Sequence, residues 1–535
     1  MMYADFIRAR STLKQVQVRF TMIPQYRSLL LAFSVLVSLF QTAGIFAAQQ
    51  RFEVRYTKAV HSQPFTGRVY LFFSRSDRDP RLGPSWFHPE SFVARDVTDW
   101  KPGEVLAFSA ETPGLLAYPK PYSEMDLNGY KVQAVARFNV REPKIGTGPG
   151  NGFSQVISVP AVIPSKPPLL TIESLVPAKP FPETRWSKLF RVRSELLSKF
   201  HGQDTFLEAS VLLPQSYYDQ PGRKYPVIFS IPGFGGDHLR GIRNQPIAEQ
   251  NEEGVEFLRV LLNPQCQWGH HVFADSATNG PVGEAFTTEF IPALEKAFRA
   301  IPHPRARFLT GHSSGGWSSL WLQITYPDQF GGTWSTAPDP VDFRDFQLIN
   351  IYEPGSNVYR DAHGQRRPIA RRDGKPILWF EPFAKMEHVL GHGGQLRSFE
   401  AVFSPRGADG KPLNLYNRET GAVDPQVAEA WKAYDIRLIL EENWEKLAPQ
   451  LGGKIHIFMG DEDTFYLDGA TVLLKQTLDR LNGNIAGGTV VEIHPGKTHS
   501  SLITNELRLR FRKEMVQSFL AHQAEIESAL RANKQ

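Results

Sequence analysis

The sequence predicts an α/β protein in which a mostly parallel sheet, covered by helices on both faces, follows a small N-terminal β-sandwich. Three observations carry this prediction. From about residue 186 to the end of the chain, short apolar runs of strand length alternate with helical patterns, which is typical of a parallel sheet buried on both faces. Residues 49–160 instead contain short strands separated by turn residues. A stretch at about 339–453 interrupts the alternation and is too long for a simple connection.

The first 48 residues have the pattern of a secretory signal peptide. Two arginines precede an apolar run that begins at Leu29, and small residues end the run at Ala48. Met22 stands just before the run and is an alternative start of translation. An uncleaved membrane anchor is the competing interpretation, because residues 29–48 have roughly the length of a membrane-spanning helix. Small residues end the run, however, and no basic stop-transfer cluster follows it. For this reason we expect a secreted or periplasmic protein with no stable membrane insertion after cleavage.

The charge of the chain argues against a nucleic-acid partner. The formal net charge is +5, but five basic residues against one acidic residue lie within the first 48 positions. The remaining chain is therefore nearly neutral. Binding to nucleic acid depends on clustered Lys and Arg that neutralise phosphates, so we expect none here.

The β-sandwich predicted for residues 49–160 depends on alternating apolar residues. Every second residue from Tyr130 to Val140 is apolar, as expected for a strand with one buried face. No run of aromatic residues indicates sugar binding, so a packing or spacing role is favoured over a binding module. Seven prolines between Pro160 and Pro182 then predict a stiff connector over residues 161–185.

The predicted α/β domain spans residues 186–535. Its long interruption at about 339–453 contains several large aromatic residues and Gly-Pro loops. We interpret this stretch as a cap over a functional site, with a peripheral elaboration as the alternative.

The segment Gly311-His312-Ser313-Ser314-Gly315 predicts a nucleophilic serine at a strand-to-helix turn. Residues 307–310 form a short apolar strand before it, and apolar residues follow it at helical spacing. Glycines two residues before and after the serine permit the tight bend that such a turn requires. Ser313 is therefore the candidate nucleophile.

A weakly nucleophilic hydroxyl needs a histidine base and a carboxylate that orients the base. The strand 455–459 leads into a run of acidic residues, among which Asp463 is the first candidate and Asp461 the second. The next strand is followed by a loop containing His494 and His499, and the longer reach from the strand end favours His499. His312 adjoins the serine, but its position predicts a side chain that points into the structure.

An oxyanion requires two backbone N–H donors. The N–H of Ser314, directly after the nucleophile, is the first candidate, and that of Phe234 in the Gly-rich loop 232–236 is the second. Trp268, His270 and His271 lie in a polar and aromatic stretch between that loop and Ser313, and we expect them to line a substrate pocket.

These motifs resemble the putative esterase family of α/β-hydrolases, which includes esterase D and feruloyl esterases. The matching residues are Tyr225-Pro226-Val227-Ile228, Gly233-x-Gly235-Gly236, Gly311 to Gly316, Gly460-x-x-Asp463 and His499. The resemblance covers about 194–520 and skips the predicted cap. It implies an α/β-hydrolase fold, a Ser-Asp-His triad and no metal or organic cofactor. Pro232 departs from the family, which usually has histidine at that position.

The sequence therefore predicts an exported serine esterase acting on a small-molecule or carbohydrate ester. A serine peptidase or acyltransferase with the same triad is an alternative, as is a secreted binding protein that has lost activity. Adjacent His270 and His271 have no evident third ligand partner, so we expect no metal site.

Overall fold

The computed structural model describes residues 50–247, 253–481 and 487–532. The predicted signal peptide, residues 1–48, and the alternative start at Met22 lie outside these ranges. None of the described helices is long and apolar enough to cross a membrane.

The first part of the described chain forms one sheet, here called the N-terminal sheet. Its strands are β1 (Phe52–Tyr56), β2 (Phe65–Ser74), β3 (Phe92–Trp100), β4 (Leu106–Phe108), β5 (Leu116–Tyr118), β6 (Lys131–Ala136), β7 (Gly152–Ser154), β8 (Ile157–Ser158) and β9 (Leu169–Leu175). They follow the spatial order β4-β1-β9-β7-β6-β2-β3-β5, and β8 pairs with β6.

Two predictions for this region need correction. The strands pair as one continuous sheet, so the β-sandwich expected for residues 49–160 is not confirmed. The stretch 161–185, expected to be a stiff connector, contains strand β9, which pairs in parallel with β1. Leu170 and Ile172 are buried in β9, and the prolines flank this strand instead of interrupting it.

The remaining strands, in chain order, are β10 (Ser187–Ser194), β11 (Thr205–Leu212), β12 (Val227–Ile231), β13 (Leu258–Leu262), β14 (Gln265–Cys266), β15 (Gly269–His270), β16 (Asp275–Ser276), β17 (Gly280–Pro281), β18 (Arg307–His312), β19 (Gly332–Thr336), β20 (Pro368–Arg372), β21 (Lys375–Trp379), β22 (Ile455–Gly460) and β23 (Val490–His494). Eight of them form the central sheet, in the order β10-β11-β13-β12-β18-β19-β22-β23. Strand β11 is antiparallel to both neighbours, and all pairs from β13 onward are parallel.

The described helices are α1 (Glu195–His201), α2 (Val282–Ala285), α3 (Ile291–Phe298), α4 (Ser314–Thr325), α5 (Phe380–Leu390), α6 (Gln395–Phe403), α7 (Pro425–Trp431), α8 (Ile436–Glu442), α9 (Trp444–Leu451), α10 (Asp468–Leu481), α11 (Asn505–Ala521) and α12 (Gln523–Ala532). A π-helical turn, Phe286–Phe290, joins α2 to α3.

The central sheet is buried on both faces. Phe229 of β12 packs into one apolar cluster with residues of α3, whereas its neighbour Ile228 packs into another with residues of α11. Successive strand residues point to opposite faces, so each face is covered by helices. The predicted α/β class is confirmed for this part of the chain.

Between β19 and β22 lies a segment of mixed structure, residues 337–454, here called the helical segment. It contains the β20-β21 hairpin and helices α5 to α9. One apolar cluster includes Trp317 of α4, Phe383 of the helical segment and Tyr70 of the N-terminal sheet. All three parts of the described chain therefore share a core.

Candidate active site

Ser313 lies in a strained turn between β18 and α4. Its φ and ψ are 60° and −127°, a region that costs a non-glycine residue on the order of 1–3 kcal/mol. Its N–H donates to the Thr336 carbonyl at 3.0 Å, and its carbonyl accepts from Trp317 at 3.0 Å. These two hydrogen bonds fix the backbone on both sides of Ser313, whose hydroxyl lies at the start of α4.

The flanking glycines are required by close backbone contacts. A Cβ added to Gly311 would lie 1.9 Å from the Gly315 carbonyl oxygen, and one added to Gly315 would lie 2.0 Å from that of Ile231. Real Cβ atoms do not approach oxygen this closely. The sequence motif therefore has its expected steric basis.

Asp463 and His499 form a buried pair at the carboxyl ends of β22 and β23. The Nδ1 of His499 is 2.7 Å from the Oδ2 of Asp463. The other carboxylate oxygen accepts from the backbone N–H groups of Phe465 at 2.8 Å and Leu467 at 3.4 Å. Asp463 is fully buried and His499 nearly so. Since the carboxylate orients Nδ1, the opposite nitrogen, Nε2, is left for proton transfer.

The rival residues are engaged elsewhere. The Asp461 carboxylate accepts from the Gly496 N–H at 2.6 Å near the surface. The His494 ring lies 3.5 Å from Glu492. His312, expected to point into the structure, instead lines the same cavity as Ser313 and packs against the His499 ring at 4.5 Å between centroids.

The electrostatic environment separates these two histidines. Burial lowers the pKa of His499, but the nearby carboxylates of Asp463 and, more weakly, Asp339 outweigh it and raise that pKa above its usual value. Burial and the neighbouring His499 lower the pKa of His312 to about 4. His312 is therefore neutral near pH 7. Its Nδ1 donates to the Thr336 hydroxyl at 3.2 Å, because that hydroxyl donates its own proton to the Gly311 carbonyl.

The Gly-rich loop after β12 lies directly beside the nucleophile. A Cβ on Gly233 would be 3.0 Å from the Ser313 Cβ and 3.6 Å from its Oγ. Phe234 follows in the same loop and lines the cavity. Ser314 occupies the first turn of α4, where backbone N–H groups lack intrahelical partners. Both predicted oxyanion donors thus belong to segments that meet at Ser313.

Ser313 and His499 open into one cavity of about 260 Å³. Its walls are mainly apolar and come from all three parts of the chain, and its apolar lining is Trp86, Phe234, Ile369, Leu378, Phe383, Phe399, Phe465 and Leu467. The volume is slightly below the range of about 300–1,000 Å³ typical of pockets for drug-sized ligands. A small apolar group therefore fits beside the serine.

The expectation that Trp268, His270 and His271 line this cavity is wrong. Trp268 and His271 line a separate groove, and His270 is buried. His270 accepts the Val272 N–H through Nδ1 at 3.0 Å and donates through Nε2 to the Pro232 carbonyl at 2.9 Å. His270 thereby fixes Pro232, the first residue of the Gly-rich loop. Burial lowers the pKa of His270 to about 4, so the ring is neutral.

Asp339 is a buried carboxyl group that lies outside the sequence motifs described above. Its Oδ1 is 3.4 Å from the Ser313 hydroxyl, and its Oδ2 accepts from the Ser314 hydroxyl at 2.5 Å. Burial raises the pKa of Asp339 to about 6, against the opposing effects of its hydrogen bonds and of His499. Its place three residues after β19, at the carboxyl edge of a parallel sheet, was the signal that could have identified it.

Arg371, on the β20-β21 hairpin, holds the loop that carries the acid. Its guanidinium donates to the Asp463 carbonyl at 2.9 Å and to the Asp461 carbonyl at 3.0 Å, and it pairs with Asp468 at 2.7 Å. The helical segment therefore positions the acid loop as well as lining the cavity.

A search of residues 50–247, 253–481 and 487–532 finds no group of three or more His, Cys, Asp or Glu side chains that could hold a metal ion.

Comparison with known families gives one broad match. The model of the putative esterase family matches residues 204–500, which include Ser313, Asp463 and His499. No curated protein matches the chain at a significant level.

Solved structures that resemble the chain include several hydrolases. A ferulic acid esterase is 13% identical, with 62% of this chain and 99% of that one covered, at a TM-score of 0.37. An S-formylglutathione hydrolase from Agrobacterium tumefaciens is 15% identical, with 62% and 94% covered, at 0.36. A ferulic acid esterase from Anaeromyces mucronatus is 14% identical, with 64% and 94% covered, at 0.31.

Proposed function

This chain belongs to the putative esterase family of α/β-hydrolases, and we propose that it is an exported serine esterase that hydrolyses carboxylic esters through an acyl-enzyme on Ser313. The observation that carries the proposal is the buried Asp463–His499 pair, whose histidine lines the same small cavity as the strained serine. The apolar run of residues 29–48 supports export.

The first half-reaction forms the acyl-enzyme. The Ser313 oxygen attacks the ester carbonyl carbon while Nε2 of His499 takes the hydroxyl proton. Asp463 stabilises the imidazolium that results. The N–H groups of Phe234 and Ser314 stabilise the oxyanion of the tetrahedral intermediate. The bond to the alcohol oxygen then breaks, and His499 returns its proton to the leaving group.

The second half-reaction releases the acid. Water enters where the alcohol left, and His499 takes its proton as the water oxygen attacks the acyl carbon. The bond to Ser313 breaks, and the serine oxygen recovers its proton from His499. The small, largely apolar cavity favours a small acyl group, whether the alcohol is a simple molecule or a carbohydrate.

We propose that the helical segment acts as a cap in this reaction. It contributes Ile369, Phe383 and Phe399 to the cavity wall, and Gln395 of α6 lies 3.2 Å from the Ser314 hydroxyl. The segment therefore covers part of the cavity at the nucleophile and limits what can reach Ser313.

The experiment is steady-state hydrolysis of p-nitrophenyl acetate by the mature protein. Ser313→Ala and His499→Ala should each lower kcat by a factor on the order of 10⁴ or more. His494→Ala is the matched control, because this histidine is the last residue of β23 and does not line the cavity, and it should keep kcat within about threefold. Undiminished hydrolysis by Ser313→Ala, or equal losses in both histidine variants, would overturn the proposal.

A further inference from the structure

The loop that joins β2 to β3 of the N-terminal sheet reaches the catalytic cavity. This loop covers residues 75–91, and its half-buried Trp86 lines the cavity beside Ser313 and His499. The sequence predicted only a packing or spacing role for this part of the chain. The contact with the cavity indicates a more direct role.

Trp86 is the point at which three parts of the cavity wall meet. Its ring stacks on Phe234 of the Gly-rich loop at 5.7 Å between centroids and 23° between planes. It meets Phe383 of the helical segment edge-on at 5.2 Å, and Phe465 of the acid loop edge-on at 5.9 Å. These separations fall within the favourable range for aromatic pairs. Trp86 therefore closes a wall whose other members belong to the oxyanion, cap and acid segments.

The loop is held on both sides of Trp86. The Arg81 N–H donates to Gln133 of β6 at 3.0 Å, and its guanidinium donates to the Gly146 carbonyl at 2.6 Å. Near the other end, the Ser74 hydroxyl donates to the Glu90 carboxylate, and the Phe73 N–H donates to the Ser91 carbonyl at 3.0 Å. The position of Trp86 is thus set by the sheet.

The same sheet also fixes the helix that contributes Phe383 to this wall. Phe383 lies on α5, and the last carbonyls of a helix have no intrahelical donors. Arg68 of β2 donates to the carbonyls of His388 at 2.8 Å and Val389 at 2.9 Å, and the Tyr70 hydroxyl donates to that of Leu390 at 2.6 Å. The N-terminal sheet caps the carboxyl end of α5 and so holds the cap helix against Trp86.

Resting on the proposed esterase function, we propose that the N-terminal sheet sets the acyl-group specificity of the enzyme, with Trp86 as the residue that limits acyl size. The acyl group remains on Ser313 through both half-reactions, whereas the alcohol leaves after the first and water must then enter. An enclosed apolar wall next to the serine therefore suits the acyl group. The residue that closes this wall decides how large that group can be.

The test compares kcat/KM for p-nitrophenyl acetate and p-nitrophenyl octanoate, which share one alcohol and differ only in the acyl chain. Trp86→Ala opens the wall, so the octanoate-to-acetate ratio should rise tenfold or more, in line with the discrimination that hydrophobic pockets achieve. Trp86→Phe keeps an aromatic ring there and should stay within about threefold of the native ratio. Leu82→Ala is the matched control and should leave the ratio unchanged, because Leu82 lies in the same loop, is 40% exposed and does not line the cavity.

An unchanged ratio in Trp86→Ala would overturn the inference. Should that variant fail to fold, Trp86→Leu removes the ring with less loss of buried volume and must give the same rise. Labelling of Ser313 by a fluorophosphonate distinguishes a failure of the proposed role of Trp86 from a failure of the proposed esterase function. Normal labelling with an unchanged ratio refutes the role of Trp86 alone, whereas no labelling of the native protein refutes the esterase function and the acyl specificity together.

Discussion

Replacing Asp463 with asparagine tests the assignment of the acid with almost no change in side-chain shape. The carboxylate accepts from His499 at 2.7 Å through one oxygen and from two backbone N–H groups through the other. Asparagine can keep the backbone contacts through its carbonyl oxygen. Its amide then faces Nδ1 of His499 with N–H groups, so the imidazole must adopt the tautomer that carries its proton on Nε2. A base with that nitrogen protonated cannot accept the proton of Ser313.

The expected loss follows from this change of tautomer. The corresponding substitution in a serine protease triad lowers kcat about 10⁴-fold, which corresponds to ~5.4 kcal/mol of transition-state stabilisation at ~1.36 kcal/mol per factor of ten. The lost charge-assisted hydrogen bond should lower the free energy of unfolding by only about 1–3 kcal/mol. Activity should therefore collapse in a protein that still folds.

The assay is kcat for p-nitrophenyl acetate, with urea unfolding of the same preparations. Asp461→Asn is the control, because Asp461 lies near the surface and its contact to the Gly496 N–H survives in asparagine. This control should retain kcat within about threefold. If Asp461→Asn is the damaging change and Asp463→Asn is mild, the acid has been assigned to the wrong residue.

Three further predictions concern pH and packing. The pKa of His499 is raised above its usual value of 6.5, and this histidine must be neutral to act as a base. We therefore expect kcat/KM to be lost as pH falls through a midpoint above 6.5. A pH profile with a midpoint well below 6.5 would contradict this expectation. Asp339→Asn removes a carboxylate that helps to raise that pKa, so the same midpoint should move to lower pH, and an upward or absent shift would be inconsistent with the geometry. Gly315→Ala places a Cβ 2.0 Å from the Ile231 carbonyl oxygen, so it should lower kcat/KM at least 100-fold or prevent folding. Gly222 has open space around it, so Gly222→Ala should leave kcat/KM and the melting temperature nearly unchanged. Equal behaviour of the two variants would show that the turn at Ser313 tolerates a side chain.

The sequence predicted well those elements that have a characteristic local pattern of residue types. The apolar strand before Gly311, the acidic run after β22 and the histidine-bearing loop after β23 each have a short-range signature. Their chain order then places them at one edge of a parallel sheet. The pairing of Asp463 with His499 was therefore predictable, and the structure brings these two side chains together.

The residues that sequence reasoning missed reach the cavity through tertiary packing. Trp86 lies 227 residues before Ser313, in a loop whose position depends on hydrogen bonds from Arg81 to Gln133 of β6 and to the Gly146 carbonyl. The aromatic and polar composition around Trp268 also led to a wrong prediction, because the β14-β15 hairpin places Trp268 in a different groove. Neither outcome has a local sequence signature.

The prediction of a proline-rich connector failed for a related reason. Prolines restrict the backbone locally, but the segment between Pro168 and Pro177 is free of them and alternates buried and exposed residues. Pairing of β9 with β1 and β7 completes the N-terminal sheet. The same pairing closes one continuous sheet where a two-sheet sandwich was expected.

The central claim, that Ser313 is an activated nucleophile, is tested most directly by fluorophosphonate labelling followed by peptide mass mapping of the mature protein. We expect one phosphonyl group per chain, located on Ser313, and its complete absence from Ser313→Ala. Labelling that persists undiminished in Ser313→Ala, or a native protein that takes up no label, would contradict it.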